Sequence, residues 1–355
     1  MKIVIDGRMW NETGIGRYIR NLVYGLESID ATNDYYILLL ENEYKNLKFK
    51  ANFNKILADI KWYTLNEQIK LYQIVSKISP DVFHAPNINF PVFYNGKMIV
   101  TVHDLIMIEK IKDENLERMV KRVILKFLLK YSLKKVSSII TVSNYIKKVV
   151  LSDFQIDRSK INTIYNCIKP SQNLHKKFNI KSDYIVYVGN TYGHKNVEFL
   201  VSSIKDIGKK LVIVGKEDKS IKHLKNIVKD KKLESLVTFT GFVDDKELSK
   251  LYSNAYAFVF PTLKEGFGLP GLESMNFDCP VVCSDIQVLR EIYKDGALFF
   301  KANNLESLKE QLKKLENSGF QIDLIKKGRD VVKRYKCNTF INSTLQIYQK
   351  IGSYK

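Results

Sequence analysis

The residues best suited to chemistry in this chain lie in one segment, Pro261-Thr262-Leu263-Lys264-Glu265-Gly266-Phe267-Gly268-Leu269-Pro270-Gly271-Leu272-Glu273. It follows the apolar run YAFVF at 256–260, so it leaves the carboxyl end of a buried strand. Gly266 and Gly268 permit a tight turn with exposed backbone N–H groups, and Pro270 suits the first position of a helix. Strand, glycine turn and helix N-terminus together form an anion site, because free N–H groups and the positive end of the helix dipole point at one place. Glu265 enters the turn, and Glu273 follows eight positions later. Two carboxylates would repel a phosphate alone. They make sense if each accepts hydrogen bonds from hydroxyls, one set on a sugar and one on a ribose. The plain alternative is a capped helix with solvated acids; the apolar residues after Glu273 weigh against it, because they direct the helix inward.

Other strand ends carry weaker signals. Tyr187-Val188-Gly189-Asn190-Thr191-Tyr192-Gly193-His194-Lys195-Asn196 closes the run YIVYV and places Lys195 in a glycine-flanked loop, where an isolated lysine is ordinarily solvated. Gly14-Ile15-Gly16-Arg17 precedes an amphipathic stretch. As a dinucleotide fingerprint it fails, since the third glycine would fall at Ile19, but it suits a phosphate-facing loop at a helix N-terminus. His103 and Asp104 follow MIVTV, and His84 ends DVFH, where a structural histidine and a substrate-facing one are equally expected. Cys279 and Cys283 flank Pro-Val-Val and read as small buried hydrophobes around a core strand. With Cys167 and Cys337 they make four cysteines, too few for a disulfide framework, and the histidines are not spaced to complete a zinc site.

These residues need elements to position them. Strands are expected at 2–6, 35–40, 81–84, 98–102 and 138–142. After a connector near Lys169-Pro170 the series restarts at 184–188, 211–214, 237–240, 256–260, 280–283 and 297–300. Helical stretches lie between; in 17–27, Ile19, Leu22, Val23 and Leu26 recur at helical spacing. The alternation predicts α/β architecture with two doubly wound Rossmann-like domains, 1–169 and 170–335, followed by a helix in 336–355. Their ligand sites are expected beyond the carboxyl ends of the strands, at the switch points.

The net charge of +19 invites a nucleic-acid reading. However, the excess is spread over both halves rather than gathered in one stripe, and no nucleic-acid partner is expected. One local cluster stands out: between Arg118 and Ser152 there are nine basic residues and no acid, interleaved with Val123, Ile124, Leu125, Phe127, Leu128, Leu129 and Leu133. This predicts a helix with one apolar and one basic face. Such a helix packs on the core and either solvates its basic face or rests that face, within 118–148, on anionic lipid. No apolar stretch reaches the roughly 20 residues of a membrane-spanning helix. The first residues read as a core strand rather than a signal peptide, so a cytoplasmic protein is expected, either free or peripheral on the inner membrane face.

Glu265 and Glu273 around GFGLP resemble the E-x7-E signature of the family 4 retaining glycosyltransferases of the GT-B fold. The whole chain is similar to that family, and most of all to bacterial surface-polysaccharide mannosyl- and rhamnosyltransferase-like members. The resemblance implies two facing domains: an N-terminal one that binds the acceptor and a C-terminal one that binds a nucleotide sugar, with the final helix returning to the first. It also implies site roles. Glu265 would hold hydroxyls of the transferred hexose, lined by Gly266, Phe267 and Gly268. Leu269 and its neighbours would meet the diphosphate, and Glu273 the ribose. Lys195 would be the point charge for the departing diphosphate, with Gly189 beside it. Many members carry an arginine directly after that glycine, where this chain has Asn190; His194 or an arginine from elsewhere would then share the load. Gly14 and Gly16 would form the N-terminal phosphate-facing loop, His103 would touch the transferred sugar, and Gly215, Phe242 and Val243 would edge the base pocket. Ser143 and Asn144 match a family motif with structural and binding roles alike.

No D-x-D pair occurs, so Lys195, the glycine-rich amides and the helix dipole are expected to replace a metal and no cofactor is expected. Retention is commonly explained by same-face attack with the leaving phosphate oxygen taking the acceptor's proton; Asp104 is a candidate base. The resemblance favours GDP-mannose as donor, ahead of UDP-hexoses and dTDP-rhamnose, and a glycan or polyprenyl-diphosphate-linked acceptor. Competing readings are a nucleotide-sugar 2-epimerase, a nicotinamide-dependent oxidoreductase using Glu41, and a non-catalytic sugar-nucleotide-binding protein.

Overall fold

A computed structural model of the chain describes residues 1–108, 116–169 and 183–353. The expected connector at Lys169-Pro170 runs into 170–182, and 354–355 end the expected final helix; both segments lie outside the described residues. The chain divides into two compact units: Met1–Cys167 with Cys337–Lys355, and Ile168–Lys336.

In the first unit, β1 (Lys2–Asp6), β2 (Asp34–Leu39), β3 (Phe53–Leu57), β4 (Val82–Ala85), β5 (Met98–Val102), β6 (Ser138–Thr141) and β7 (Ile161–Thr163) form one sheet. Its order is β3-β2-β1-β4-β5-β6-β7, and every neighbouring pair is parallel. The connecting helices are α1 (Gly14–Ile29), α2 (Glu41–Asn46), α3 (Leu65–Ile78), α4 (Leu116–Lys135) and α5 (Asn144–Phe154). Ile3, Val4 and Ile5 are wholly buried, as a central strand covered on both faces must be. α1 buries Tyr18, Ile19, Leu22, Val23 and Leu26 along one stripe. The C-terminal helix, Cys337–Ser353, belongs to this unit; it lays Phe340, Ile341, Ile347 and Tyr348 into the same core and packs on α1 and β4. Gly25 of α1 makes that approach fit, since a Cβ there would stand 2.3 Å from Ile341 Cδ1.

The second unit repeats the plan. Strands β8 (Tyr184–Val188), β9 (Lys210–Val214), β10 (Val237–Gly241), β11 (Ala257–Phe260), β12 (Val281–Ser284) and β13 (Ala297–Phe300) are ordered β10-β9-β8-β11-β12-β13, again all parallel. Around them lie α6 (Val197–Ser202), α7 (Ile204–Ile207), α8 (Lys219–Asp230), α9 (Asp245–Asn254), α10 (Leu269–Asn276), α11 (Gln287–Tyr293), α12 (Leu305–Lys314) and α13 (Ser318–Val332). Strand order reverses between β1 and β4 in the first sheet and between β8 and β11 in the second, so these are the two switch points.

Three expectations are corrected. Strands β3 and β7 were not anticipated. Both are sheet edges, and β3 (FNKIL) buries only Phe53 fully, so it lacks the apolar run that marks a central strand. Two of the four cysteines, Cys167 and Cys337, are joined as a disulfide across 170 positions, a separation that no local spacing announces. Cys279 and Cys283 are reduced and buried around β12, and burial pushes the Cys279 thiol up to about 12. Finally, the outward side of α4 is mixed rather than basic. Leu129 and Leu133 are buried, but Val123, Ile124, Phe127 and Leu128 face out with the lysines, because the helix carries two apolar stripes and the core takes only one.

Candidate active site

The site of the second unit is assembled at its switch point, from the loops that leave β8 and β11. Backbone and side-chain bonds stitch those loops together. Leu263 N–H donates to the His194 carbonyl at 2.7 Å, and the buried Thr262 hydroxyl is shared between the carbonyls of His194 (3.2 Å) and Lys264 (2.9 Å). Asn196, held left-handed at φ 57°, donates its amide to Pro261 O at 3.1 Å and to Asn303 Oδ1 at 2.9 Å. The seam sets Lys195 against Glu265: Nζ lies 2.5 Å from Oε1, and the two side chains are 15% and 11% exposed. Lys195 Nζ also sits 5.7 Å from the centre of the Phe260 ring. Sequence reasoning named both residues separately, one for phosphate and one for hydroxyls. The structure shows them as an ion pair.

The glycine turn after Glu265 is braced by a residue that the sequence did not flag. Gly268 caps α10 at φ +93°, and a Cβ there would lie 2.5 Å from the Tyr293 hydroxyl and 2.7 Å from Leu289 Cδ2. The Tyr293 hydroxyl donates to Gly268 O at 2.5 Å, and a Cβ at Gly271 would collide with the same ring. Burial pushes the Tyr293 phenol well up, with smaller contributions from Cys283, Glu265 and Glu273. Glu273 is half-buried on α10. Gly266, Phe267 and Leu269 are buried, and Phe267 meets Tyr335 edge-on at 5.5 Å. Pro270 is the second residue of α10 rather than the first.

Glycines also step along the strand ends on the other side. Gly189 N–H donates to Val214 O at 2.9 Å and Gly215 N–H to Gly241 O at 3.2 Å, while a Cβ at Gly215 would stand 2.4 Å from Gly189 O. Beyond them Phe242 is 83% exposed and Val243 half-buried. Asn190 stands just after Gly189. Its carbonyl takes the Tyr187 hydroxyl at 2.5 Å, but its buried Oδ1 has no partner among the described residues. Ser284 Oγ, at the end of β12, is likewise buried and unpartnered. Unmet polar atoms at a strand's carboxyl end are costly unless a ligand or water meets them.

The first unit's expected residues divide differently. Gly14 opens α1 with open space around a would-be Cβ, whereas Gly16 is required by packing, since its Cβ would stand 2.4 Å from Trp10 O. His103 donates or accepts through Nε2 with Pro86 O at 2.9 Å; as a carbonyl only accepts, Nε2 carries the proton. Burial pushes His103 down to about 4, against the opposing pull of Asp104. Asp104 Oδ1 accepts from Ile106 N–H at 3.1 Å. His84 is structural: wholly buried, it bonds Tyr348 at 2.6 Å and Thr101 at 2.8 Å. Ser143 is the cap of α5, accepting from Ile146 N–H at 3.2 Å, and Asn144 donates to the Tyr165 hydroxyl at 2.6 Å. At this unit's switch point lies a cluster that sequence reasoning missed. Arg8 donates to Asp6 at 2.9 and 2.7 Å, to Glu67 at 2.6 Å and to Ile60 O at 3.1 Å. Glu67 also takes Asn89 at 2.9 Å and Tyr63 N–H at 2.7 Å.

Known proteins share this fold. Residues 13–172 match the family model described as Glycosyltransferase Family 4, and 170–331 match that of Glycosyl transferases group 1. The O-antigen chain mannosyltransferase RfbU of Salmonella typhimurium is 30% identical over 282 residues, covering 79% of this chain and 76% of its own. The O-antigen chain mannosyltransferase B of Escherichia coli is 24% identical over 76% of this chain and 74% of its own. Among solved structures, WaaG, a glycosyltransferase involved in lipopolysaccharide biosynthesis, superposes with a TM-score of 0.78 at 14% identity over 98% of this chain and 99% of that one. With two doubly wound parallel sheets and a glycine turn opening a helix between two glutamates, the chain belongs to the family 4 glycosyltransferases of the GT-B fold.

Proposed function

We propose that this glycosyltransferase moves a hexose, mannose first among the choices, from a nucleotide-diphosphate sugar with retention of anomeric configuration and without a metal. The donor favoured is GDP-mannose, with UDP-hexoses and dTDP-rhamnose as the alternatives. The O-antigen chain mannosyltransferase relatives support mannose and a bacterial surface glycan as acceptor; the acceptor we propose is such a glycan or a polyprenyl-diphosphate-linked sugar. The observation that carries the reading is the Lys195–Glu265 pair beside the Gly266–Gly268 turn and the start of α10. Without donor, each charge is matched by the other. A bound donor offers both something better: diphosphate oxygens for Lys195 and sugar hydroxyls for Glu265. Charge that builds on the leaving diphosphate then meets Lys195, the turn amides and the α10 dipole.

Glu273 holds the ribose, Asn190 and the Gly189–Gly215 step line the donor, and Phe242 and Val243 border the base. His103, whose proton sits on Nε2 toward Pro86, offers the transferred sugar the acceptor side of its ring, and Asp104 is the candidate assisting base. The chain acts in the cytoplasm, drawn to the anionic inner membrane face by the basic residues of 118–148; among the described residues no helix is long and apolar enough to cross a membrane. The test is a transfer assay with a panel of nucleotide sugars in excess chelator, reading the anomeric configuration of the product. Turnover of GDP-mannose with retained configuration is expected. Strict dependence on added metal, an inverted product, or donor isomerisation without transfer would each refute the corresponding part.

A further inference from the structure

The second unit is one unbroken insertion: the chain leaves the first unit after Cys167 and returns to it at Cys337. The disulfide joins those two residues, so it closes the whole second unit into a single loop at its base. Just inside the bond the two crossings are tied together, with Ile168 N–H donating to Tyr335 O at 3.0 Å. Tyr335 is buried; its ring meets Phe267 edge-on and its hydroxyl donates to Ile292 O at 2.8 Å. A step of two residues, from Cys337 to Tyr335, therefore leads from the bond to a ring that backs the Gly266–Gly268 turn. The four cysteines also differ in what can reach them. Cys279 and Cys283 are buried around β12, and Cys167 is buried with its carbonyl held by the Asn21 amide at 3.2 Å. Cys337 is half-buried, opens the C-terminal helix and follows the exposed Arg334 and Lys336. A helix N-terminus beside cations is a setting in which a thiol exchanges readily.

We propose that Cys337 is a thiol–disulfide exchange site, and that the bond it makes with Cys167 or releases sets how firmly the Gly266–Gly268 turn is held. In the oxidising direction the Cys337 thiolate attacks a small disulfide such as oxidised glutathione and expels one small thiolate. The Cys167 thiolate then attacks Cys337 Sγ in the mixed disulfide, forming the protein bond and expelling the second. The small disulfide gains the two electrons that the protein thiols lose, and the two protons leave with the two small thiols. Reduction by a small thiol runs the same steps backwards. With the bond in place the crossings are pinned and Tyr335 stays behind Phe267; without it that end of the second unit opens more often and the turn loosens. Disulfides of chains that act in the cytoplasm are rare and are mostly transient or sensing ones. That cellular setting rests on the proposed function, whereas the exchange and its effect on the turn do not.

The test equilibrates the full chain with oxidised and reduced glutathione in varied ratio, counts free thiols by alkylation and mass, and follows amide hydrogen exchange of the segment 261–273. The folded chain is expected to pass between disulfide and dithiol forms, with Cys337 as the residue trapped in the mixed disulfide when Cys167 is replaced by serine. Exchange of the segment should be at least about threefold faster in the dithiol form. The Cys167→Ser/Cys337→Ser variant should match the dithiol form and ignore the glutathione ratio. Tyr335→Leu should exchange alike in both forms, since the ring that carries the effect is gone, while Tyr335→Phe should keep the difference. The proposal is overturned if glutathione leaves the bond intact in the folded chain. It is equally overturned if the dithiol form has a lower thermal midpoint but the same exchange at 261–273, which would make the bond a structural staple only. A redox-dependent turn in a chain that binds no nucleotide sugar would uphold the switch and count against the transfer reading alone.

Discussion

The two units share a plan but treat their switch points in opposite ways. In the first, Asp6, Arg8, Glu67 and Asn89 close the strand ends with a buried network in which the guanidinium is matched by two carboxylates and a carbonyl. In the second, Lys195 pairs with Glu265, while Asn190 Oδ1, just after β8, is buried with no partner among the described residues. A closed network fixes loops and spends its polar groups on the protein. An incomplete one keeps them for a ligand. On the proposed function, the same position in one architecture therefore serves order in one unit and recognition in the other.

The contrast breaks most readily at Arg8. Arg8→Ala strands two buried carboxylates and should cost about 3–5 kcal/mol in urea unfolding, with donor affinity of the remaining folded protein unchanged. A loss under about 1 kcal/mol would mean that the cluster does not hold the unit. At the other switch point the effect should fall on turnover. Lys195→Ala is expected to slow transfer by about 10²–10³-fold in initial-rate assays while the thermal midpoint moves only a few degrees. Gly268→Ala forces a Cβ against Tyr293 and Leu289 at a left-handed backbone position, and should cost about 1–3 kcal/mol together with most donor binding. Tyr293→Phe removes only the bond to Gly268 O and should cost about 1 kcal/mol, measurable by chemical denaturation.

The smallest effect is a pH dependence in the first unit. Burial pushes His84 from its ordinary 6.5 down to about 3, so the folded chain keeps it neutral. Its contribution is complete above about pH 6.5 and is lost as pH falls toward 3, because the unfolded chain takes up the proton first. Between pH 6.5 and 5.5 the loss should be about 1 kcal/mol. His84→Gln, whatever its stability at neutral pH, should show a shallower slope in that interval.

What was legible in the sequence follows from where the physical signal resides. Central strands such as Ala257–Phe260 are apolar throughout because both faces are covered, and the glycine turn at 266–268 announces itself by composition. The edge strand Phe53–Leu57 carries no such run. The periodicity of α4 reveals apolar stripes but not which one the core receives. Partners distant in sequence leave no local trace: Arg8 and Glu67, Cys167 and Cys337, Tyr293 and Gly268 are brought together only by the fold. At the site, Lys195 and Glu265 were recognisable one by one from their strand ends, but their pairing was not, because the seam from His194 to Leu263 that imposes it is made by the backbone.

Calorimetric titration of GDP-mannose, and of UDP- and dTDP-sugars beside it, into the unsubstituted chain and Lys195→Ala in excess chelator addresses the incomplete switch point most directly. At least one donor should bind the unsubstituted chain, and its dissociation constant should rise about tenfold or more when Lys195 is removed. Equal affinities in the two chains would contradict the assignment of the donor diphosphate to Lys195.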